Sequence, residues 1–383
     1  MFISTIIPTF NRADLLGKTI EAVLSQSRRP DEVLVVIDGS EDHTREVVGQ
    51  YAGQVRVLDK ENSGKADSLN QALATIEGSH IWIVDDDDVP RPGGLAALVE
   101  TFERAPQSGL VFGRHERFSV DPETGKISTS DTGYWDDRGS DWFLVATLED
   151  FFVHQPAMLV TRDLYEAAGP FDPEMRASED YDMLIRLAMN GRVASTDTVI
   201  YDQRVHDGAR GQKGHQYAAR RRVDKWLEYD QSLFRRLDKT LSASAYLPSH
   251  LAMTPLLRRQ ALLQKGVVML RKGLWELALT AFEQAAGTKP QEDLTSAERG
   301  VLRRALLGKY GCDMVLSDDA AMRAFKVFRT KGAFENEIVR ALARSLVWLA
   351  RTAAKDGRLS AASRYGRAYF EFAIRPPVSL SPA

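Results

Sequence analysis

From the first residue to about Gly113, short apolar runs alternate with stretches whose apolar residues return every three or four positions. The runs Phe2 to Ile7, Glu32 to Ile37, Val55 to Leu58, Ile81 to Val84 and Gly109 to Phe112 predict strands. The stretches Ala13 to Ser25, His43 to Tyr51, Ala66 to Ile76 and Gly94 to Arg104 predict helices between them. Strands apolar on both faces and joined by helices imply an α/β fold with a mostly parallel central sheet flanked by helices. The polar segment His115 to Asp141 lacks a clear period and is expected to be an insertion or a mobile loop. The alternation resumes with a strand at Ala157 to Val160, a helix at Asp180 to Met189 and a strand over Arg192 to Tyr201.

Beyond about Gly214 the pattern becomes helical throughout and rich in Arg, Leu and Ala, so an all-α domain is expected after a boundary between Gly214 and Ser249. The division adopted is 1–220 for the α/β domain and 221–383 for the helical one. The spacing of Gly266, Ala278, Phe282, Ala285 and Pro290 resembles a tetratricopeptide repeat, in which small and large apolar side chains interlock between two antiparallel helices. A weaker echo at Ala361, Tyr365 and Ala368 does not suffice for a solenoid, because stacked neighbours would have to supply its core. Farther along, Ile338, Val339, Leu342, Leu346 and Leu349 form an apolar stripe, with Arg340, Arg344 and Arg351 on the other side. Such a helix packs on a neighbour or lies on an anionic membrane, and Arg220, Arg221 and Arg222 form either a solvated face or a phosphate patch.

Composition narrows the classes. At 383 residues, two domains are the natural expectation, and 44% hydrophobic with 27% charged residues is a globular profile. Fifty basic against 53 acidic side chains leave a formal charge of −3, with no global field to recruit nucleic acid. Cys312 is the single cysteine, which rules out an intrachain disulfide and fits a reducing cytoplasm. The start lacks a basic n-region, and no run approaches about 18 apolar residues, so neither a signal peptide nor a membrane span is expected. A cytoplasmic place, with peripheral contact to the inner membrane face left open, is the expectation.

Ligands of an open parallel sheet gather beyond the carboxyl ends of its strands. There the chain places Thr9 and Asn11 after the first strand, Asp38 after the second, Asp59 and Lys60 after the third, and Asp85, Asp86, Asp87 and Asp88 after the fourth. Four successive carboxylates form either a solvated turn or a seat for a hard divalent cation, whose shell substrate phosphates commonly complete. In order along the chain stand Pro8-Thr9-Phe10-Asn11-Arg12, Ile37-Asp38-Gly39-Ser40, Gly64-Lys65-Ala66-Asp67, the aspartate run, and Ser178-Glu179-Asp180-Tyr181-Asp182. Together these motifs resemble glycosyltransferase family 2, a family with the GT-A fold, over about Met1 to Gly211.

The resemblance implies roles for matching positions. Thr9 and Asp38 would contact the nucleoside, with Asp38 accepting a hydrogen bond from the base. Asp85 to Asp87 would be the Asp-x-Asp motif, with Asp86 near the ribose, Asp87 the direct ligand of Mn²⁺ or Mg²⁺, and Asp85 supporting it; Asp88 is the usual extra acid. Lys65 would lie near the diphosphate or the acceptor. Glu179 and Asp180 would begin a helix under the acceptor, with Asp180 the general base of an inverting transfer. His206 would stand near the metal or the phosphates, and His154 is a candidate for the acceptor pocket. The Gly64-Lys65 pair is not a P-loop, since Asp59 and Ala66 occupy positions that need glycine and a hydroxyl.

The expected partners are a nucleotide-sugar donor, with UDP favoured through Asp38, and a glycan or lipid-linked acceptor; nucleic acid is not expected. The helical tail is a candidate for peripheral membrane or protein contact. The Gln-x-x-Arg-Trp motif and membrane helices of the family's processive members are missing from the sequence. Two rival readings remain: a haloacid dehalogenase-type phosphatase or phosphotransferase using Asp85 and Asp87, and an inactive transferase-like scaffold acting through its helical tail.

Overall fold

The structure is a computed structural model that describes residues 1–121, 123–130, 135–205, 222–288, 293–308 and 310–374. The chain separates into two compact units, Met1–Phe143 with Phe151–Tyr229, and Leu144–Asp150 with Asp230–Ala383.

The first unit is built on one nine-stranded sheet. Strand β1 (Ile3–Thr9) is buried along its whole length, as is β2 (Glu32–Asp38) apart from its first residue. Both therefore need apolar side chains on both faces, which is why they stand out as continuous runs in the sequence. Strands β2, β3 (Arg56–Lys60) and β4 (His80–Ile83) join β1 in parallel, in the order β3-β2-β1-β4. Helices α1 (Ala13–Leu24), α2 (Thr44–Gly49) and α3 (Lys65–Thr75) make the crossovers. In a parallel group all carboxyl ends share one edge, so Thr9, Asp38, Lys60 and the aspartates after Ile83 are brought together by topology alone.

Beyond β4 the sheet turns mixed. Strand β8 (Met158–Thr161) runs antiparallel to β4 and to β6 (Leu110–Val120), while β9 (Val193–Arg204) runs parallel to β6. The short β5 (Val89–Pro90) closes that edge against β9. The segment expected as an insertion or loop contains sheet: β6 continues to Val120 and pairs with β7 (Ile127–Ser130) in a hairpin. Its far half carries Arg114, Glu116 and Arg117 on partly wet positions, where alternation with polar residues hides a strand from a search for apolar runs. Helices α4 (Gly94–Arg104), α5 (Phe143–Glu149), α6 (Arg162–Ala168) and α7 (Glu179–Asn190) complete the elements before α8 (Arg222–Thr240).

The second unit is helical. It contains α9 (Pro255–Arg271), α10 (Trp275–Ala286), α11 (Ser296–Arg303), α12 (Gly311–Ser317), α13 (Asp319–Phe328), α14 (Ala333–Lys355) and α15 (Leu359–Tyr369). Gly266 on α9 lies directly against the ring of Phe282 on α10, where a Cβ would collide with the aromatic edge. Ala278 and Ala285 are buried on the same helix as Phe282, and Pro290 lies outside the described residues. The predicted apolar stripe of α14 is buried at Ile338, Val339, Leu342 and Leu346, and α14 packs on α11 and α15. Arg220 and Arg221 lie outside the described residues, as does the side chain of Arg222. No described helix is long and apolar enough to cross a membrane.

The helical unit also buries charge in closed sets. Arg259 is fully buried and donates to both carboxylate oxygens of Glu298, at 2.7 and 2.9 Å. Glu298 also accepts from the backbone N–H of Thr295, whose side chain accepts from Glu298 in return, so the same carboxylate caps α11. Glu149 accepts from Arg304 at 2.9 Å and from Gln264 at 2.7 Å.

Candidate functional site

Asp38 ends β2, and its carboxylate organises the loop that leads into α3. Oδ1 accepts from Lys60 Nζ at 2.7 Å and from the Ser63 backbone at 2.9 Å. Oδ2 accepts from Asn62 Nδ2 at 3.1 Å and from the Gly64 backbone at 2.9 Å. An ionised carboxylate offers about four acceptor positions, so these four donors fill it. A base N–H reaching Asp38 would have to replace one of them. Gly39 follows with φ +70°, and a Cβ there would lie 2.6 Å from the Asn62 nitrogen, so this turn accepts only glycine. Beside it opens a groove of about 540 Å³ lined by Gly39, Glu41, Arg45, Asp59, Lys60 and Asn62, among others.

Thr9 ends β1 and donates its hydroxyl to Asp86 at 2.7 Å. Three residues on, Arg12 binds Asp87 and stands 3.5 Å from Asp86. The turn between them is held by Asn11, whose φ of +51° is unusual for a side-chain-bearing residue. Asn11 Oδ1 accepts from the Glu41 backbone at 2.8 Å, and its own N–H donates to Ser40 Oγ, linking the ends of β1 and β2. Burial pushes the Asp86 carboxyl up to about 7; Arg12 pulls it down, while Asp87 and Asp85 add to the rise. Asp88 faces the other way and accepts from the Arg204 backbone at 3.1 Å, so it ties the aspartate turn to β9.

Lys65, the first residue of α3, donates to Asp85 at 2.5 Å. Burial works against its charge, yet Asp85, Glu179 and Asp180 together hold its pKa above the ordinary lysine value. This one ammonium therefore lies in the field of both acidic motifs, which stand far apart in the sequence. Glu179 and Asp180 open α7 after Ser178, whose φ of +62° is the other positive value at a non-glycine among the described residues. Burial, then the neighbouring Asp180, pushes the Glu179 carboxyl up to about 7. Asp180 Oδ1 accepts from the Tyr181 backbone at 2.8 Å and is half-buried.

Aromatic rings connect the two acidic groups. Tyr181 lies 5.2 Å from Phe151, Phe151 lies 4.7 Å from His154, and His154 meets His115 edge-on at 5.0 Å. His115 stacks on Tyr201 at 5.5 Å, and Asp88, Asp85 and Asp87 add to the effect of burial in raising the Tyr201 hydroxyl pKa. His154 thus stands in the wall between the aspartate turn and the start of α7. His206 lies outside the described residues.

The resemblance implies Mn²⁺ or Mg²⁺, and the donor set can be tested for fit. Among the described residues, no three His, Cys, Asp or Glu side chains are grouped as a cage. The carboxylates instead hold the cationic groups of Arg12 and Lys65. An all-oxygen set whose negative charge Arg12 and Lys65 offset only in part fits a hard ion that takes one or two carboxylates and completes its shell with phosphate oxygens. Within the motif Pro8-Thr9-Phe10-Asn11-Arg12 no role is expected of Arg12, Lys60 is expected at the strand-end edge without a role, and Tyr201 is expected only as the end of a strand. Arg12 is the one with a local signal, a cation one turn after the strand end that carries Thr9.

A parallel half-sheet with acidic strand ends, continued by a mixed half, is a GT-A-like fold. Residues 4–168 match the family model described as glycosyl transferase family 2, so this N-terminal part is similar to that family. An uncharacterized glycosyltransferase of Rickettsia typhi is 24% identical over 54% of this chain and 64% of its own length. The chondroitin synthase of Pasteurella multocida is 26% identical over 53% of this chain and 20% of that protein. The chain thus matches less than two thirds of each of these relatives. Among solved structures, S. aureus TarS 1-349 has a TM-score of 0.52 at 16% identity, covering 96% of this chain and 91% of that one. The same TarS fragment in complex with UDP-GlcNAc gives a TM-score of 0.50 at 15% identity, with the same shares covered.

Proposed function

We propose that this chain transfers a sugar, with inversion, from a nucleotide-diphosphate donor to a hydroxyl of a glycan or lipid-linked acceptor, with a UDP-sugar as the favoured donor. The observation that carries this reading is Lys65, bonded to Asp85 and held in the field of Glu179 and Asp180. A donor-side acid run and an acceptor-side acid pair around one cation suit a reaction that separates a nucleotide leaving group from an incoming hydroxyl.

In this reading the nucleoside takes the groove beside Asp38 and Lys60, with Thr9 and Asp86 on its ribose side. Asp38 acts chiefly through the loop it holds, and a base N–H gains it by displacing a loop donor. Asp87, with Asp85, would hold Mn²⁺ or Mg²⁺, and His206 is retained as a further candidate near it. When bound, the cation supplies positive charge against the leaving diphosphate. Arg12 and Lys65 contribute fixed positive charge at the same edge, so part of that stabilisation is built into the chain. Asp180 removes the acceptor proton, with Glu179 beside it at the start of α7. The TarS complex with UDP-GlcNAc supports the choice of a uridine donor at the level of a shared fold.

A thermal-shift screen of nucleoside diphosphates and their sugars, with and without Mn²⁺, tests the reading. A stabilising shift with UDP or a UDP-sugar that grows with Mn²⁺ is expected. No shift with any nucleotide would overturn it, and a phosphorylated Asp85 trapped from a phosphate ester would replace it with the phosphatase reading.

A further inference from the structure

Helix α14 has two sides of different character. Ile338, Val339, Leu342, Ser345, Leu346 and Ala353 are buried, and the opposite face carries Arg340, Arg344, Trp348, Arg351 and Lys355. At 3.6 residues per turn these five fall within about 80° of arc and span roughly 22 Å along the axis. All five are exposed, and Trp348 keeps 60% of its surface in water. Between Glu337 and Asp356 the helix has no acidic residue. Among the described residues, Arg340, Arg344, Arg351 and Lys355 make no ion pair, whereas exposed Lys331 and half-buried Arg364 each find a carboxylate. A groove of about 360 Å³ lined by Arg303, Leu307, Arg344 and Ser345 continues the same face. Arg303 adds a further unpaired cation, and Leu307 an apolar side chain that is 43% exposed.

We propose that this outer face of α14, with the Arg303–Leu307 edge, is a docking surface for an anionic lipid bilayer. Unopposed cations along one side would attract any polyanion, so charge alone does not choose the occupant. Trp348 and Leu307 choose it. An indole in the middle of a cationic row gains by leaving water at the headgroup boundary, where its apolar ring and N–H are both accommodated. The guanidinium groups on either side meet lipid phosphates at the same depth. The contact is peripheral, because the opposite face of the helix is committed to the core of its own unit. It stands independently of the donor chemistry proposed above.

Co-sedimentation of the full chain with vesicles tests the proposal. Vesicles of phosphatidylcholine alone are compared with vesicles containing about one quarter phosphatidylglycerol, at low and high salt. Binding is expected to the anionic vesicles only, and to disappear at high salt. Each basic residue near such a surface contributes about fivefold in partitioning. The double variant Arg344→Glu/Arg351→Glu should therefore lower partitioning by more than about tenfold. Trp348→Ser should weaken binding a few-fold while leaving its salt dependence in place. If the double variant does not fold, Trp348→Ser and Arg340→Gln carry the test. All these side chains are exposed, so the unfolding midpoints should match the parent's. Absence of binding to anionic vesicles overturns the proposal, as does equal binding to phosphatidylcholine or equal binding by folded variants. Binding to polyphosphate without binding to vesicles would overturn it in favour of a soluble polyanion.

Discussion

The two units bury charge in opposite ways. In the helical unit, Arg259 and Glu298 are both fully buried and bonded through two contacts, and Glu298 also closes a helix cap. Each charge there has its counter-charge, so the set is complete. At the sheet edge of the α/β unit, Asp85 to Asp87, Glu179 and Asp180 stand around Arg12 and Lys65, and negative charge is in excess. That excess shows in Asp86 and Glu179, both pushed up to about 7, chiefly by burial. A balanced buried set serves the fold, whereas an unbalanced one at a sheet edge is prepared for a ligand that brings the missing positive charge or spreads the negative.

Substitutions can break this contrast. The largest effect is expected from Asp180→Asn: transfer should fall by about 10²- to 10⁴-fold, with donor binding unchanged in the thermal-shift assay. Loss of donor binding in this variant would erase the separation between donor and acceptor acids. On the structural side, Glu298→Ala leaves Arg259 buried without its partner and should cost about 3–5 kcal/mol of stability in denaturant unfolding. A cost near zero would mean that the helical unit's pairs are not the closed sets described above. Smaller still, Asp87→Ala should remove the Mn²⁺-dependent part of nucleotide binding, and the metal-independent part should persist through Arg12 and Lys65. Retained Mn²⁺ dependence would move the metal away from Asp87.

The mildest effect concerns pH. Glu179 has a carboxyl raised from its usual 4.5 to about 7, so the folded state holds its proton more tightly than the unfolded chain. The resulting stabilisation is fully present below 4.5 and is lost as pH rises through about 7. Glu179→Gln should flatten that part of the stability profile, as read from unfolding midpoints across the interval. An unchanged slope would show that Glu179 ionises normally.

The sequence carried the parallel half of the sheet clearly, because β1, β2 and β4 are buried on both faces and write themselves as apolar runs. It carried the strand-end acids for the same reason, since topology alone sends Thr9, Asp38 and Asp85 to Asp88 to one edge. It did not reveal the far half of β6 or its pairing with β7. There Phe118 is covered by the Arg204 guanidinium at 4.6 Å, and Arg117 bonds Gln203 on β9, contacts made between residues far apart in the chain. The pairing of Arg12 with Asp87 and of Lys60 with Asp38 was hidden likewise, because an arginine or lysine in a loop looks the same whether it faces water or a carboxylate. The aromatic path from Tyr181 to Tyr201 draws on four separate chain segments, and no local pattern predicts it.

The loop tied to Asp38 has a further consequence for how a nucleotide arrives. Its four donors are already in place without any ligand, so the ordering entropy of residues 60–64 belongs to folding and not to binding. The Ser63 and Gly64 amides should exchange slowly with solvent deuterium in the free protein, and nucleotide should slow them little further. Fast exchange that becomes slow only with nucleotide would instead describe a seat assembled by its guest.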